Sequence, residues 1–333
     1  MKSLILIVFF IFLPGVSAGC IDSALQPISE TRFLLSTVCT ITLYDGSDSE
    51  LLTQALDMCG EYEALFSMRV EGSDIWQINH AGGELVEVLP RTAEMIGAGL
   101  SYGENTGGMF DITIGRLSAL WNFQGEYYIP GQDDIDKAQK TVDYRQVALT
   151  DDTVQISNPD TWLDMGGIAK GYIADNLAAF LVENGVGSAL IDLGGDIVTI
   201  GQMPDGRTWR IGIREPLGRR EGLFGIIRTG PAAIVTSGVY ERAFESGGIL
   251  YHHILDPATG YPAKTDVVSV TIVSLDAMTG DVLSTAALLA GSEGAEELLL
   301  GVTGFIGALL ILEDGRYLTI GEIDFEANER ELE

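Results

Sequence analysis

The apolar residues of this chain follow two spacings, and each spacing predicts one kind of secondary structure. Alternation of apolar and polar residues, rich in β-branched side chains, predicts strands. Apolar residues that recur every three or four positions predict helices. Strands are expected at residues 31–44, 86–89, 147–149, 154–156, 188–193, 197–200, 209–214, 232–236, 249–255 and 267–273. Helices are expected at residues 49–66, 92–106, 168–184, 277–289 and 294–300.

Other stretches show neither spacing clearly. Residues 67–79 are expected to be irregular, residues 161–163 to end a strand, and residues 131–143 to form a polar helix or loop. A final hairpin is expected to turn at residues 314–315. Since no repeat and no linker divides the chain, the pattern favours a single α+β domain with mainly antiparallel sheets and packed helices.

The N-terminus is predicted to be a targeting segment rather than part of the fold. Lys2 precedes an apolar run at residues 4–13, and small residues follow before Cys20. The apolar run is too short to span a bilayer comfortably. The pattern resembles a bacterial lipoprotein signal, with cleavage before Cys20 and lipid on its sulfur, although Ser17 stands where Leu is preferred. A plain secretory signal is the alternative.

The resulting division of the chain has three parts. Residues 1–19 form a lipoprotein signal peptide, residues 20–32 a polar tether, and residues 33–325 the folded domain.

Composition limits the partners of this domain. The chain has 19 Lys and Arg against 48 Asp and Glu, which gives a formal net charge of −29. Nucleic-acid binding requires basic surface, so this charge argues against it. An anionic substrate would have to be bound by local features such as helix N-termini, a few basic side chains or a metal ion.

Two cysteines remain after Cys20. Cys39 falls in a predicted strand and Cys59 in a predicted helix. The sequence leaves open whether they form one disulfide or remain two buried thiols. No Cys or His spacing indicates a zinc site.

The stretch TWLDMGGIAKGYIADN at residues 161–176 carries the first indication of chemistry. Asp164 precedes the pair Gly166–Gly167, and a helix is expected to begin at about Ile168. A turn of this kind leaves backbone N–H groups free at the positive end of a helix dipole, where anions bind. Lys170 in the first turn opposes the dipole unless an anion lies nearby. The alternative is a structural glycine turn with a solvated lysine.

The segment DVLSTA at residues 281–286 is the candidate metal site. Asp281 and Thr285 are four residues apart on a predicted helix and therefore share a face. Their oxygens suit Mg²⁺, which takes few protein ligands together with phosphate and water. The same segment resembles a flavin-acceptor sequence, Asp-x-x-Ser/Thr-x-Ala. Because its apolar neighbours predict a buried helix, we favour the metal site over an acceptor site.

The three histidines predict little. His80 is expected at the surface, and the pair His252–His253 is expected to make structural hydrogen bonds. No Ser-His-Asp order stands out in the sequence.

Several motifs, in one order, resemble the flavin transferases of the ApbE family. They are FDITIGRL at 110–117 with Leu120–Trp121, DMGGIAKGYIAD at 164–175, GGDI at 194–197, TSG at 236–238, HILDPATG at 253–260, and DAM at 276–278 with Asp281 and Thr285. The resemblance extends from about residue 33 to residue 311.

The resemblance implies a Mg²⁺-dependent enzyme that uses FAD as substrate. It would attach FMN to a Thr or Ser of an acceptor protein carrying Asp-x-x-Ser/Thr-x-Ala, and would release AMP. Many such enzymes are exported lipoproteins, which places this one on the periplasmic side of the bacterial inner membrane, beside acceptors such as membrane redox complexes. The first alternative is an FAD pyrophosphatase that yields AMP and FMN. A non-catalytic flavin-binding lipoprotein is disfavoured because the metal pair is intact.

The resemblance also implies roles for individual residues. Asp281, Thr285 and the backbone carbonyl of Gly167 would bind Mg²⁺, and Asp281 and Lys170 would take part in catalysis. The residues expected to contact FAD are Leu35, Arg69, Leu120, Trp121, Asp164, Lys170 and Leu255.

Two positions depart from the family pattern. Many relatives have Tyr at the position of Arg69, where the ring would stack on adenine. The family often has Met at Leu35, followed by Gly where this chain has Ser36. The first departure predicts weaker FAD retention, although Arg can also stack on a ring.

Overall fold

A computed structural model describes residues 26–123, 125, 127–217 and 222–328. The helices are α1 (Glu50–Phe66), α2 (Asp74–His80), α3 (Pro90–Asn105), α4 (Gly115–Trp121), α5 (Gln132–Gln139), α6 (Ala169–Glu183) and α7 (Ala277–Leu299). The first eight strands are β1 (Ile28–Leu34), β2 (Thr37–Leu43), β3 (Val86–Glu87), β4 (Val147–Thr150), β5 (Thr153–Ile156), β6 (Ala189–Leu193), β7 (Ile197–Ile200) and β8 (Trp209–Arg214). The others are β9 (Leu223–Thr229), β10 (Ala233–Gly238), β11 (Ala243–Ser246), β12 (Ile249–His252), β13 (Val267–Ser274), β14 (Phe305–Leu312), β15 (Tyr317–Gly321) and β16 (Asp324–Ala327).

One large sheet organises these elements. Its strand order is β1-β2-β6-β7-β10-β13-β14-β15, and every neighbouring pair in it is antiparallel. Two smaller antiparallel sheets, β16-β9-β8 and β3-β5-β4, and the separate hairpin β11-β12 complete the strands. The predicted α+β class, with mainly antiparallel sheets and packed helices, is confirmed.

The large sheet is buried on both faces, as alternation along β10 shows. Ala233 and Val235 pack into the core that α1 and α6 share. Ile234, between them, packs instead against Ile211 and Ile227 of the β8-β9 sheet. Successive side chains of a strand point to opposite faces, so helices cover one face of this sheet and the small sheet covers the other.

The segment predicted as one strand at residues 31–44 is a hairpin. Leu35 and Ser36 adopt left-handed backbone conformations, with φ of 53° and 58°, and reverse the chain between β1 and β2. Two-residue hairpin turns require this geometry and usually contain Gly or Asn, so a Leu-Ser pair gave no signal. The first strand begins at Ile28, inside the segment predicted to be a tether.

Other differences concern short elements. Residues 67–79, expected to be irregular, contain the start of α2, which Ser73 caps by accepting from the Trp76 N–H at 3.0 Å. Residues 161–163 form no strand and contribute one isolated bridge between Trp162 and Ile114. Strands β9, β11 and β16 were not predicted. The break between the helices predicted at residues 277–289 and 294–300 is confirmed, since Gly291, with a φ of 70°, interrupts α7.

Cys39 and Cys59 are both free and buried, so the structure has the two thiols that were one of the open alternatives. Burial raises the pKa of Cys39 to about 11 and that of Cys59 to about 12, which keeps both protonated. No helix in the part of the chain that the structure describes is long and apolar enough to span a membrane. Cys20 and the predicted signal peptide lie outside the described residues.

Candidate active site

A cavity of about 770 Å³ opens where α6 and α7 meet the large sheet and the β8-β9 sheet. Its walls include most of the residues predicted to act on the substrate. Those that line it are Leu35, Arg69, Asp164, Gly167, Lys170, Leu255, Asp281 and Thr285. Residues far apart in sequence therefore meet at one site.

The start of α6 is held by the segment that precedes it. The Asp164 N–H donates to the Ile112 carbonyl at 2.8 Å, and the Asp164 carboxylate accepts from the Gly166 N–H at 2.9 Å. A Cβ at Gly115 would lie 2.7 Å from the Trp162 carbonyl oxygen, so only glycine allows this close approach. The helix start is therefore fixed against the 110–115 segment.

The start of α6 has a carboxylate of the protein itself beside it, that of Asp281. Asp281 of α7 accepts a hydrogen bond from the Gly171 N–H at 3.1 Å. This contact requires the two helices to touch, and a Cβ at Gly171 would lie 2.4 Å from the Ala277 carbonyl oxygen. Asp281 is thus placed near the positive end of the α6 dipole, where a carboxylate is stabilised.

Asp175 makes a second connection between the same helices. Its two oxygens accept from the N–H groups of Ala277, at 2.7 Å, and Met278, at 2.9 Å, in the first turn of α7. Burial raises the pKa of Asp175 to about 6, although both hydrogen bonds oppose the shift. The residue fixes the register of α7, and with it Asp281 and Thr285, relative to α6.

Lys170 lies between two buried carboxylates. Its Nζ donates to Asp196, whose side chain is only 2% exposed. Burial alone would lower the pKa of Lys170, but the charges of Asp196 and Asp281 outweigh it and raise that pKa. Lys170 therefore stays protonated and is paired with a carboxylate, rather than solvated as in the alternative that the sequence left open. Asp196, which lies in the GGDI motif at residues 194–197 but was given no role from the sequence, holds the charge of Lys170 in place.

The residues at the predicted metal site fit a divalent cation. Burial raises the pKa of Asp281 to about 7, and the charge of Lys170 opposes this shift. The positive charge near the carboxylate is therefore not enough to offset its burial. Thr285 lies on the same face of α7 and its hydroxyl is 3.3 Å from that of Ser237. No group of three or more His, Cys, Asp or Glu among the described residues is arranged for a metal. A hydroxyl and a backbone carbonyl beside one carboxylate suit Mg²⁺ that also binds phosphate oxygens.

Leu120 and Trp121 are placed differently from the prediction, because neither is among the cavity-lining residues that the structure describes. Trp121 is fully buried, and its indole N–H donates to the Gly260 carbonyl at 2.8 Å. Its ring stacks on Phe123, which does line the cavity, with centroids 5.8 Å apart. Trp121 therefore supports the cavity wall from behind Phe123.

His253 was expected from the sequence to make only structural hydrogen bonds, but it lines the cavity. Its Nδ1 is buried and has no hydrogen-bond partner among the described residues. Burial, and then the charge of Arg242, lowers the pKa of His253 to about 3, so the imidazole is neutral. Its neighbour His252 does make the structural contact predicted for both, between Nε2 and the Ala263 carbonyl at 3.1 Å. Adjacent strand residues face opposite sides, and this rule was the signal that one of the pair would point elsewhere.

The segment that resembles a flavin acceptor is buried in α7. Ser284 is fully buried and its hydroxyl donates to the Asp281 carbonyl at 2.9 Å. Ala286 is also fully buried. An acceptor hydroxyl must reach another protein's active site, so the burial supports the metal site over self-modification.

Comparison with known proteins places this geometry in a family. The model of the ApbE family matches residues 35–306. An FAD:protein FMN transferase of Treponema pallidum is 32% identical over 91% of this chain and 89% of its own length. Another, of Klebsiella pneumoniae, is 34% identical over 77% of this chain and 80% of its own.

Solved structures agree with the sequence comparison. The ApbE protein of Thermotoga maritima matches with a TM-score of 0.82 and 34% identity, over 89% of this chain and 97% of that one. The flavin transferase ApbE of Vibrio cholerae matches with a TM-score of 0.80 and 26% identity, over 89% and 97%. Sequence, fold and the helix pair around the cavity lead to one conclusion: this chain belongs to the ApbE family.

Proposed function

We propose that this protein transfers FMN from FAD to a Thr or Ser hydroxyl of an acceptor protein, with Mg²⁺, and releases AMP. The observation that carries the proposal is the junction of α6 and α7, where Lys170, Asp281 and Thr285 line one cavity with His253. Its relatives of similar length include FAD:protein FMN transferases.

The chemistry is a displacement at phosphorus. The acceptor oxygen bonds to the phosphorus of the FMN half, and the bond from that phosphorus to the bridging oxygen breaks. AMP leaves with the bridging oxygen, and the hydroxyl proton is released. Such transfers depend mainly on positioning and on stabilising negative charge.

The chain supplies groups for both tasks. Lys170 places a permanent positive charge at the inner end of the cavity, held by Asp196. The neutral imidazole of His253 lines the cavity and can accept the hydrogen bond of an attacking hydroxyl and orient it. Leu35, Arg69, Asp164 and Leu255 line the rest of the cavity and would bind the flavin and adenine ends of FAD.

Asp281, Thr285 and the Gly167 carbonyl would hold the Mg²⁺. When bound, the ion neutralises phosphate charge and polarises the phosphorus. The buried position of Asp281 supports this assignment, because low solvent exposure strengthens charge interactions.

FAD pyrophosphatase activity is the second candidate, with water as the acceptor. The same inner groups would serve, with a water molecule in place of the acceptor hydroxyl. Incubation with FAD, Mg²⁺ and a peptide containing Asp-x-x-Thr-x-Ala, followed by mass spectrometry, separates the two. An FMN adduct on the threonine supports transfer, whereas free FMN with unmodified peptide supports hydrolysis.

We further propose that Cys20 is lipidated and anchors the protein on the periplasmic side of the bacterial inner membrane, where a membrane redox complex subunit could be the acceptor. The small residues before Cys20 support the proposal. Several acyl chains are needed for stable anchoring. In the native host, a fatty-acid analogue should label the wild type and not Cys20→Ala, and absence of label on the wild type would indicate a secreted form instead.

A further inference from the structure

Four basic residues line the cavity in the described part of the chain, and they differ in what binds them. Lys170 is paired with Asp196, and Arg214 is paired with Glu241 and lies over the Tyr240 ring. Arg69 also has an interaction partner. For Arg242 the described residues provide no hydrogen bond and no ion pair to the side chain, which is exposed at the rim.

Arg242 is close to His253, which would orient the attacking hydroxyl. Its backbone carbonyl accepts from the His253 N–H at 3.1 Å. Its charge lowers the pKa of His253 and acts against that of Lys170 as well, so the guanidinium is within electrostatic reach of both. A hydroxyl bonded to His253 therefore brings the rest of its polypeptide segment next to Arg242.

The net negative charge of the protein makes an unpaired cation at this position important for binding an acidic segment. With 48 acidic and 19 basic residues, the chain repels acidic segments at long range. An unpaired guanidinium at the rim provides local attraction and can bind a carboxylate through two parallel hydrogen bonds. On a helical turn, side chains three residues apart are about 5–6 Å apart, so one segment could offer a hydroxyl to His253 and a carboxylate to Arg242 together.

The inner end of the cavity already has groups for the phosphates of FAD. Lys170, the Gly166–Gly167 turn and the Asp281–Thr285 pair lie there. Arg242 lines the same cavity and its side chain is exposed, so a protein segment that reaches the cavity can contact it.

Resting on the proposed function, we propose that Arg242 selects the acceptor by binding an acidic side chain near its target hydroxyl. The partner is thus an acidic segment, in which the carboxylate and the hydroxyl lie on one face.

The test is a double-mutant cycle between the enzyme and its peptide. One peptide contains Asp-x-x-Thr-x-Ala and the other has Asn in place of Asp. The wild-type enzyme should prefer the Asp peptide in kcat/KM by about 10- to 100-fold, the range expected for a hydrogen bond to a charged group. In Arg242→Gln this preference should fall to about threefold or less. Arg242→Lys should retain part of it, because it keeps the charge but loses the planar fork.

Arg207→Gln is the matched control, since it removes the same charge from an exposed loop outside the cavity lining. It should keep the wild-type preference. An equal preference in wild type and Arg242→Gln would overturn the inference, as would an Arg242→Gln defect confined to the dissociation constant of FAD, which would assign the residue to the phosphates. If the wild type forms no FMN adduct with either peptide, the proposed function itself fails.

Discussion

The two ends of the cavity are built in opposite ways. At the inner end, Lys170, Asp196 and Asp281 are held by partners from different elements and are largely removed from water. At the rim, Arg69 and Arg242 are exposed. Charge interactions are strong where water is excluded and weak where it is not. The inner end is therefore suited to the reaction at phosphorus, and the rim to the choice and retention of reactants.

Removal of Asp281 should have the largest effect. Asp281→Ala takes away the only carboxylate assigned to Mg²⁺, and Mg²⁺-dependent AMP release from FAD should fall by about 10²–10³-fold, as when other groups that stabilise transition-state charge are lost. Thr285→Val should lower it in the same direction. The exposed Asp133→Ala in α5 serves as control. Full activity in Asp281→Ala would place the metal elsewhere and would contradict the assignment of the reaction at phosphorus to the inner end.

The buried ion pair should matter for stability as well as for chemistry. Asp196→Ala removes the hydrogen-bonded partner of Lys170, and the free energy of unfolding should fall by about 3–4 kcal/mol, towards the low end for buried pairs because Lys170 keeps 29% of its side chain exposed and Asp281 remains nearby. Chemical denaturation measures the change. Asp205→Ala, which breaks an exposed pair with Arg207, should cost far less, because solvent screens that pair. Equal losses in the two variants would mean that the inner pair is not protected from solvent.

Asp175 should make stability depend on pH. Its pKa is raised to about 6 from 3.8, so between these values the folded protein holds a proton that the unfolded chain releases. The free energy of unfolding should therefore fall as the pH rises from about 4 to 6, with a contribution of about 2–3 kcal/mol from this residue. Asp175→Asn should remove that contribution. Unfolding curves of the two proteins across this range check it, and parallel pH profiles would contradict it.

The smallest expected effect is at the rim. Arg69→Tyr would place a ring where relatives are expected to stack adenine, and stacking on an aromatic is worth about 1–3 kcal/mol in nucleic-acid sites. Because Arg can itself stack on adenine, we expect Tyr to add only part of this stacking free energy, which corresponds to about a 3- to 10-fold lower dissociation constant for FAD. Equilibrium binding measured by flavin fluorescence gives the answer. Unchanged or weaker binding would mean that Arg69 does not face the adenine.

Local sequence pattern predicted the inner end well. The start of α6 depends on Gly166–Gly167 and on helical spacing, and the alignment of Asp281 with Thr285 depends only on a period of 3.6 residues. Both are short-range properties that a single sequence contains.

The roles that could not be predicted from the sequence depend on contacts between distant segments. Asp196 pairs with Lys170 across 26 positions, and Arg242 meets His253 only because β11 and β12 form a hairpin. Leu35 and Ser36 adopt a turn conformation that their residue types rarely adopt. Trp121 was expected at the substrate because its motif resembles the family's, but burial behind Phe123 cannot be deduced from a motif.

The most direct test of the account follows AMP release from FAD by the wild-type protein with Mg²⁺, with and without a peptide containing Asp-x-x-Thr-x-Ala. If the inner end activates phosphorus and the rim delivers the acceptor, AMP should appear slowly without peptide and faster with it, and the additional AMP should match the FMN found on the threonine. Equal amounts of AMP and free FMN, with no adduct at any peptide concentration, would contradict transfer and leave a pyrophosphatase.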